Sequence, residues 1–134
     1  MAKGNSINEV RSLMGEVEGT FQEYAAAIKN RELAIADLAF TKQLSKDTDK
    51  YQKRNTIEID SMTQLTDEGK RLKAGQVLRY IVKDYNRRKT IPLEFLNDES
   101  DYDAERYVEL LAEVGNSVTQ PFGYMIRQQR RGHV

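Results

Sequence analysis

Cysteine and tryptophan are absent from this 134-residue chain, proline occurs twice and histidine once. Without cysteine there is neither a disulfide frame nor a thiolate metal site. The single histidine, His133, excludes a Ser-His-Asp triad, an HExxH helix and any histidine metal cluster. No apolar run approaches the ~18–20 residues that a membrane span needs. The start, MAKGNSINEV, has no apolar signal-peptide stretch. The expected location is therefore intracellular or inside a particle. GxGxxG and GxSxG are both missing. Gly69-Lys70-Arg71 has the ending of a phosphate-binding loop, but Gln64 stands where that loop requires its first glycine. No cofactor, metal or catalytic residue is expected.

Charge is abundant but balanced, with 21 basic and 21 acidic side chains. A net charge of zero offers no general attraction to nucleic acid or anionic membrane, so any such attraction must come from local clusters. The clusters exist. Residues 61–93 hold 8 basic and 3 acidic groups, residues 94–114 hold 1 and 8, and residues 115–134 hold 3 and none. The acids at 98, 99, 101, 103 and 105 fail the calcium-loop template, because its sixth position is Asp103 rather than glycine. They read as a solvated helix start that complements the dipole.

The strongest pattern is periodic. Ile7, Val10, Met14, Val17, Phe21, Tyr24, Ile28, Arg31, Ile35 and Leu38 alternate three- and four-residue spacings. That is a coiled-coil seam, broken once by Arg31. Leu33, Ala36, Phe40 and Leu44 add a second stripe on the opposite side, so the helix expected over 6–44 is wanted by two neighbours. Ser45 to Asp49 is rich in capping residues and reads as a turn, although without Gly or Pro it also fits an uninterrupted helix. A weaker helix is expected over 49–62. Another is expected over 67–87, started by Thr66-Asp67-Glu68, apolar at Ala74, Val77, Leu78, Ile81, Val82 and Tyr85, and closed by Arg87-Arg88-Lys89. Ile91-Pro92 ends that segment. Ser100 caps a last helix over 101–114, which Gly115-Asn116 terminates.

The fold implied is all-α: a long N-terminal helix in an extended hairpin or bundle, a short C-terminal helix and an extended tail. The divisions implied are a helical hairpin over 1–90, a linker with a short helix over 91–116, and a docking tail over 117–134. In the tail, Phe122, Tyr124, Met125 and Ile126 form an apolar segment suited to a partner's groove. The apolar supply of the later helices is too small to cover both faces of the first. The partner-helix interface is accordingly assigned to Ile7, Val10, Met14, Val17, Phe21, Tyr24, Ile28, Ile35 and Leu38. These features point to a non-enzymatic structural subunit that assembles with itself or other proteins, as a minor component of a virion or other large particle would. The second reading is a helical regulatory or nucleic-acid-associated protein. It would set Arg87, Arg88, Lys89, Arg127, Arg130 and Arg131 on phosphates, with interleaved aromatics available for stacking.

Overall fold

The structure, a computed structural model, describes residues 3–46 and 56–126. The chain divides into two compact units, one formed by residues 1–33 with 104–134 and the other by residues 34–103. The boundary expected at residue 90 falls inside a strand, and the one expected at 116 inside a helix. The fold is not all-α. Its second unit holds a three-stranded antiparallel sheet.

In the first unit, α1 (Lys3–Lys29) packs against α3 (Ala104–Thr119). The heptad residues Met14, Phe21 and Ile28 are buried, together with Ala25 on the same stripe. Each large apolar side chain so removed from water contributes roughly 1.5–3 kcal/mol. The facing stripe of α3 buries Ala104, Tyr107, Val108 and Ala112. A seam that reads as a coiled coil here serves a helix pair within one chain.

The rod expected through residue 44 stops at Lys29, and the reason is local. Arg31 takes a left-handed backbone (φ 56°). The N–H of Glu32 reaches back to the Ala27 carbonyl (3.0 Å), and that of Arg31 to the Ile28 carbonyl (3.3 Å). These two bonds close the helix end. Arg31 also covers the Lys29 carbonyl with its guanidinium at 2.9 Å. Ile35–Leu38 then form a single 3-10 turn, and Phe40–Gln43 a strand, β1. Ile35 and Leu38 thus leave the seam altogether.

In the second unit, α2 (Glu58–Asp67) precedes β2 (Val77–Asp84) and β3 (Lys89–Pro92), and the strand order is β1-β2-β3. The Thr66-Asp67-Glu68 run, expected to begin a helix, ends one. Gly69 at φ 74° carries the same pair of closing bonds that Arg31 carries on α1, with Lys70 N–H on the Leu65 carbonyl (2.7 Å) and Gly69 N–H on the Thr66 carbonyl (3.0 Å). Half of the helix expected over 49–62, residues 49–55, lies outside the described residues, as does most of the Ser45–Asp49 turn.

Val77 to Tyr85 fits a helical spacing, yet it is a strand and the start of a turn. The run is short, β-branched and aromatic, and it sits between Gly75 and Asn86, which are strand signals. Leu78, Tyr80 and Val82 face one way and are buried, with Phe40 and Tyr80 in a ring contact at 5.7 Å. Ser100 does not cap a helix: its hydroxyl accepts from Asn97 N–H (3.0 Å) in a turn. The last helix continues through Gly115-Asn116 to Thr119.

Arg31→Gly removes the left-handed strain that a side chain suffers at this position, so it should stabilise the chain by about 0.5–1 kcal/mol in denaturant unfolding; a drop in stability would show that the guanidinium bond outweighs the strain. Burial, then the Glu58 charge, push the Tyr80 phenol from 10.0 up to about 12. The folded state keeps this proton where the unfolded chain has released it, so stability is full below pH 10 and should fall between pH 10 and about 12. Tyr80→Phe should flatten that part of the pH profile.

Candidate nucleic-acid interface

β2 and β3 form a hairpin whose connection, Tyr85 to Arg88, is rich in cations. Tyr80 pairs with Pro92, Ile81 with Ile91 and Val82 with Thr90, after which the register shifts so that Asp84 pairs with Lys89. Lys83 is the extra residue at this bulge, a feature that bends a strand and re-aims a side chain. Arg79 and Lys83 are exposed, and Arg79 points away from the face that buries Leu78 and Tyr80. Arg87, Arg88 and Lys89 are exposed at the far end. Arg79 and Lys83 stand four residues apart on β2, about 13 Å at ~3.3 Å per residue, and the turn cations continue from its far end, a spacing that can face consecutive phosphates.

The hairpin is held from two sides. On the β3 edge, Thr90 N–H donates to Asp60 Oδ2 (2.7 Å), while Gln64 Nε2 donates to the Thr90 carbonyl (2.8 Å). Two side chains one turn apart on α2 thus serve the strand as a further strand would. The Thr90 hydroxyl donates to Asp60 Oδ2 (3.2 Å), which leaves Ser61 as donor in its 2.6 Å contact with Thr90 Oγ1. Ser61 and Thr90 are both buried, so this bonding is the condition of their burial. At the tip, Asp103 N–H donates to the Val82 carbonyl (2.9 Å) and Asp103 Oδ2 accepts from Tyr85 N–H (2.9 Å). Arg88 N–H closes the turn on the Tyr85 carbonyl (3.1 Å), with Arg88 at φ 56°. Arg87 lies 3.7 Å from the Asp84 carboxylate in an exposed pair, of a kind worth little in energy.

The residues singled out from sequence are dispersed. Val10 and Val17 are half-buried on α1, Tyr24 is 53% exposed, and the side chain of Ile7 is outside the description. Of the tail, Ile126 is buried, its N–H donates to Asn116 Oδ1 (2.8 Å), and the Tyr124 hydroxyl donates to the Glu18 carboxylate. The segment folds back onto its own unit. A Cβ on Gly115 would stand 2.5 Å from Ile126 Cδ1, so the glycine leaves that side chain its place. Phe122 and Met125 are exposed. Arg127, Arg130, Arg131 and His133 lie outside the described residues. Arg79 and Lys83 escape a sequence reading because the segment fits a helix; its β-branched and aromatic content is the available signal.

Among the described residues there is no group of three or more His, Cys, Asp or Glu able to hold a metal ion, and no helix long and apolar enough to cross a membrane. What the stripe offers chemically is fixed positive charge on a braced backbone.

No family model matches the chain. It is similar to DNA polymerase 1 of Sulfolobus acidocaldarius, 27% identical over 124 residues, which is 92% of this chain and 14% of that protein. It is equally similar to DNA polymerase 1 of Saccharolobus solfataricus, 27% identical over 120 residues, covering 89% of this chain and 13% of the relative. The chain thus spans about a seventh of the curated relatives it matches. Among solved structures, the family B DNA polymerase from the archaeon Pyrobaculum calidifontis shares the fold, with a TM-score of 0.69 at 17% identity over 93% of this chain and 18% of that one.

These likenesses overturn the expectation of a non-enzymatic, coiled-coil virion subunit that assembles through its N-terminal helix. The proteins resembled are polymerases, which are enzymes, and the resemblance covers a part of them.

The bracing of the hairpin is testable. Asp60→Ala strips Thr90 of its N–H acceptor in a half-buried place and should cost roughly 2 kcal/mol in denaturant unfolding. A cost near zero would show that β3 holds its register without α2.

Proposed function

We propose that this chain forms a DNA-contacting part of a DNA polymerase, with the β2–β3 hairpin as the element that meets the phosphate backbone. The observation that carries the reading is the stripe of exposed cations, Arg79, Lys83, Arg87, Arg88 and Lys89, on a hairpin tied down at its edge and at its tip. Similarity to DNA polymerases along nine-tenths of the chain supports it. Cations on a rigid support bind phosphate without the ordering cost that a mobile segment incurs. Arginine at the tip adds planar, multi-donor contacts to phosphate oxygens. Such contacts hold and orient a nucleic acid without reading its sequence.

The partner in this reading is DNA, and the rest of a polymerase supplies whatever else its chemistry requires. The local excess of positive charge over residues 61–93 resolves the conflict with a net charge of zero. A DNA backbone within a Debye length of ~8–10 Å experiences the nearby face rather than the total.

Salt dependence tests the proposal. Binding to duplex DNA should weaken linearly in a plot of log affinity against log salt. Replacing Arg87, Arg88 and Lys89 together with alanine should lower the slope by up to about three, at ~0.9 for each phosphate that is no longer neutralised. Lys29→Ala, at the end of α1, serves as the control and should leave the slope unchanged. A wild-type chain without salt-sensitive affinity for DNA, or a triple variant with the wild-type slope, would reject the assignment.

A further inference from the structure

We infer that Tyr85 is a stacking position for an unpaired base, so that the hairpin tip takes single-stranded DNA; the inference rests on the reading of the hairpin as a phosphate-binding element. The other tyrosines of the second unit among the described residues, Tyr80 and Tyr102, are buried, whereas Tyr85 is 40% exposed. It is the first residue of the tip, and both its backbone groups are occupied: its N–H by Asp103 (2.9 Å) and its carbonyl by Arg88 N–H (3.1 Å). The ring therefore stands on a backbone whose donor and acceptor are both hydrogen-bonded within the unit. Arg87, Arg88 and Lys89 follow within four residues and are exposed as well.

Phosphate contact requires the cations and gains nothing from a neighbouring aromatic ring. A base does gain, because every base presents a π-face to a ring, and sites for single strands combine such rings with basic side chains. Duplex DNA buries those faces in its stack and shows only edges in the grooves. An exposed tyrosine among arginines at the end of a basic stripe thus fits a strand that leaves the duplex, with the phosphates on the cations and one base on the ring.

Fluorescence anisotropy with three labelled probes tests this on the full chain: oligothymidylate, an abasic oligonucleotide of the same length, and a blunt duplex. Tyr85→Ala should weaken oligothymidylate binding by about fivefold to a hundredfold and leave the abasic strand and the duplex unchanged. Tyr85→Phe should stay within about twofold of wild type, because the ring and not the hydroxyl does the stacking. Equal weakening on all three probes, or none on any, would overturn the stacking role while leaving the phosphate reading intact. Failure of the wild-type chain to bind all three would overturn both.

Discussion

The second unit depends on how the outer edge of β3 is closed. A strand at the rim of a sheet presents backbone donors and acceptors that must find partners. Here Asp60 accepts from the N–H of Thr90 and Gln64 Nε2 donates to the Thr90 carbonyl, both from one face of α2. That pairing braces, from outside the sheet, a strand only four residues long. It also sets the direction in which β2 and β3 run out to their turn. Without it the short strand would depend on one neighbour, and the tip would have no defined position. The buried Ser61–Thr90 contact belongs to the same arrangement, since neither hydroxyl could be taken from water alone.

From this closure the electrostatics follow. Arg79 is exposed between the buried Leu78 and Tyr80 on β2, so the period of the strand sorts it away from them, while Tyr80, Ile81 and Val82 are all buried before Lys83 is exposed again. The bulge at Lys83 and the turn beyond it extend the basic stripe past the end of the pairing. Asp84 and Asp103 hold the tip through backbone N–H groups as well as through charge, Asp84 on Arg87 and Asp103 on Tyr85. Acidic residues at this place shape the turn that presents the cations.

The fold is legible in the sequence where a pattern has one interpretation. The stripe Met14, Phe21, Ile28 is buried on a helix, and the helix over 101–114 is present with a longer end. The sequence misleads where one composition serves two periods. Val77, Leu78, Ile81, Val82 and Tyr85 satisfy a helical wheel and a strand run equally, and only length and β-branching distinguish them. Arg31 stands out as a flaw in the seam, but a lone arginine does not announce a left-handed cap, which glycine fills at Gly69. The tail reads as a peptide that needs a groove, and Tyr124 and Ile126 do find contacts, on α1 and α3 of their own unit. The likeness to polymerases has no short motif to carry it; it lies in 27% identity over nine-tenths of the chain.

The sheet unit is contiguous, whereas the helical unit draws on two stretches of chain separated by the whole of the sheet unit. During synthesis α1 therefore leaves the ribosome with Met14, Phe21 and Ile28 uncovered. About seventy further residues must emerge before α3 can shield them, several seconds at ~5–20 residues per second. Over that interval the sheet can complete its local pairings while the nascent first helix stays exposed to chaperones and to misassociation. The price of inserting one unit inside another is thus a delay borne by the helix that is made first.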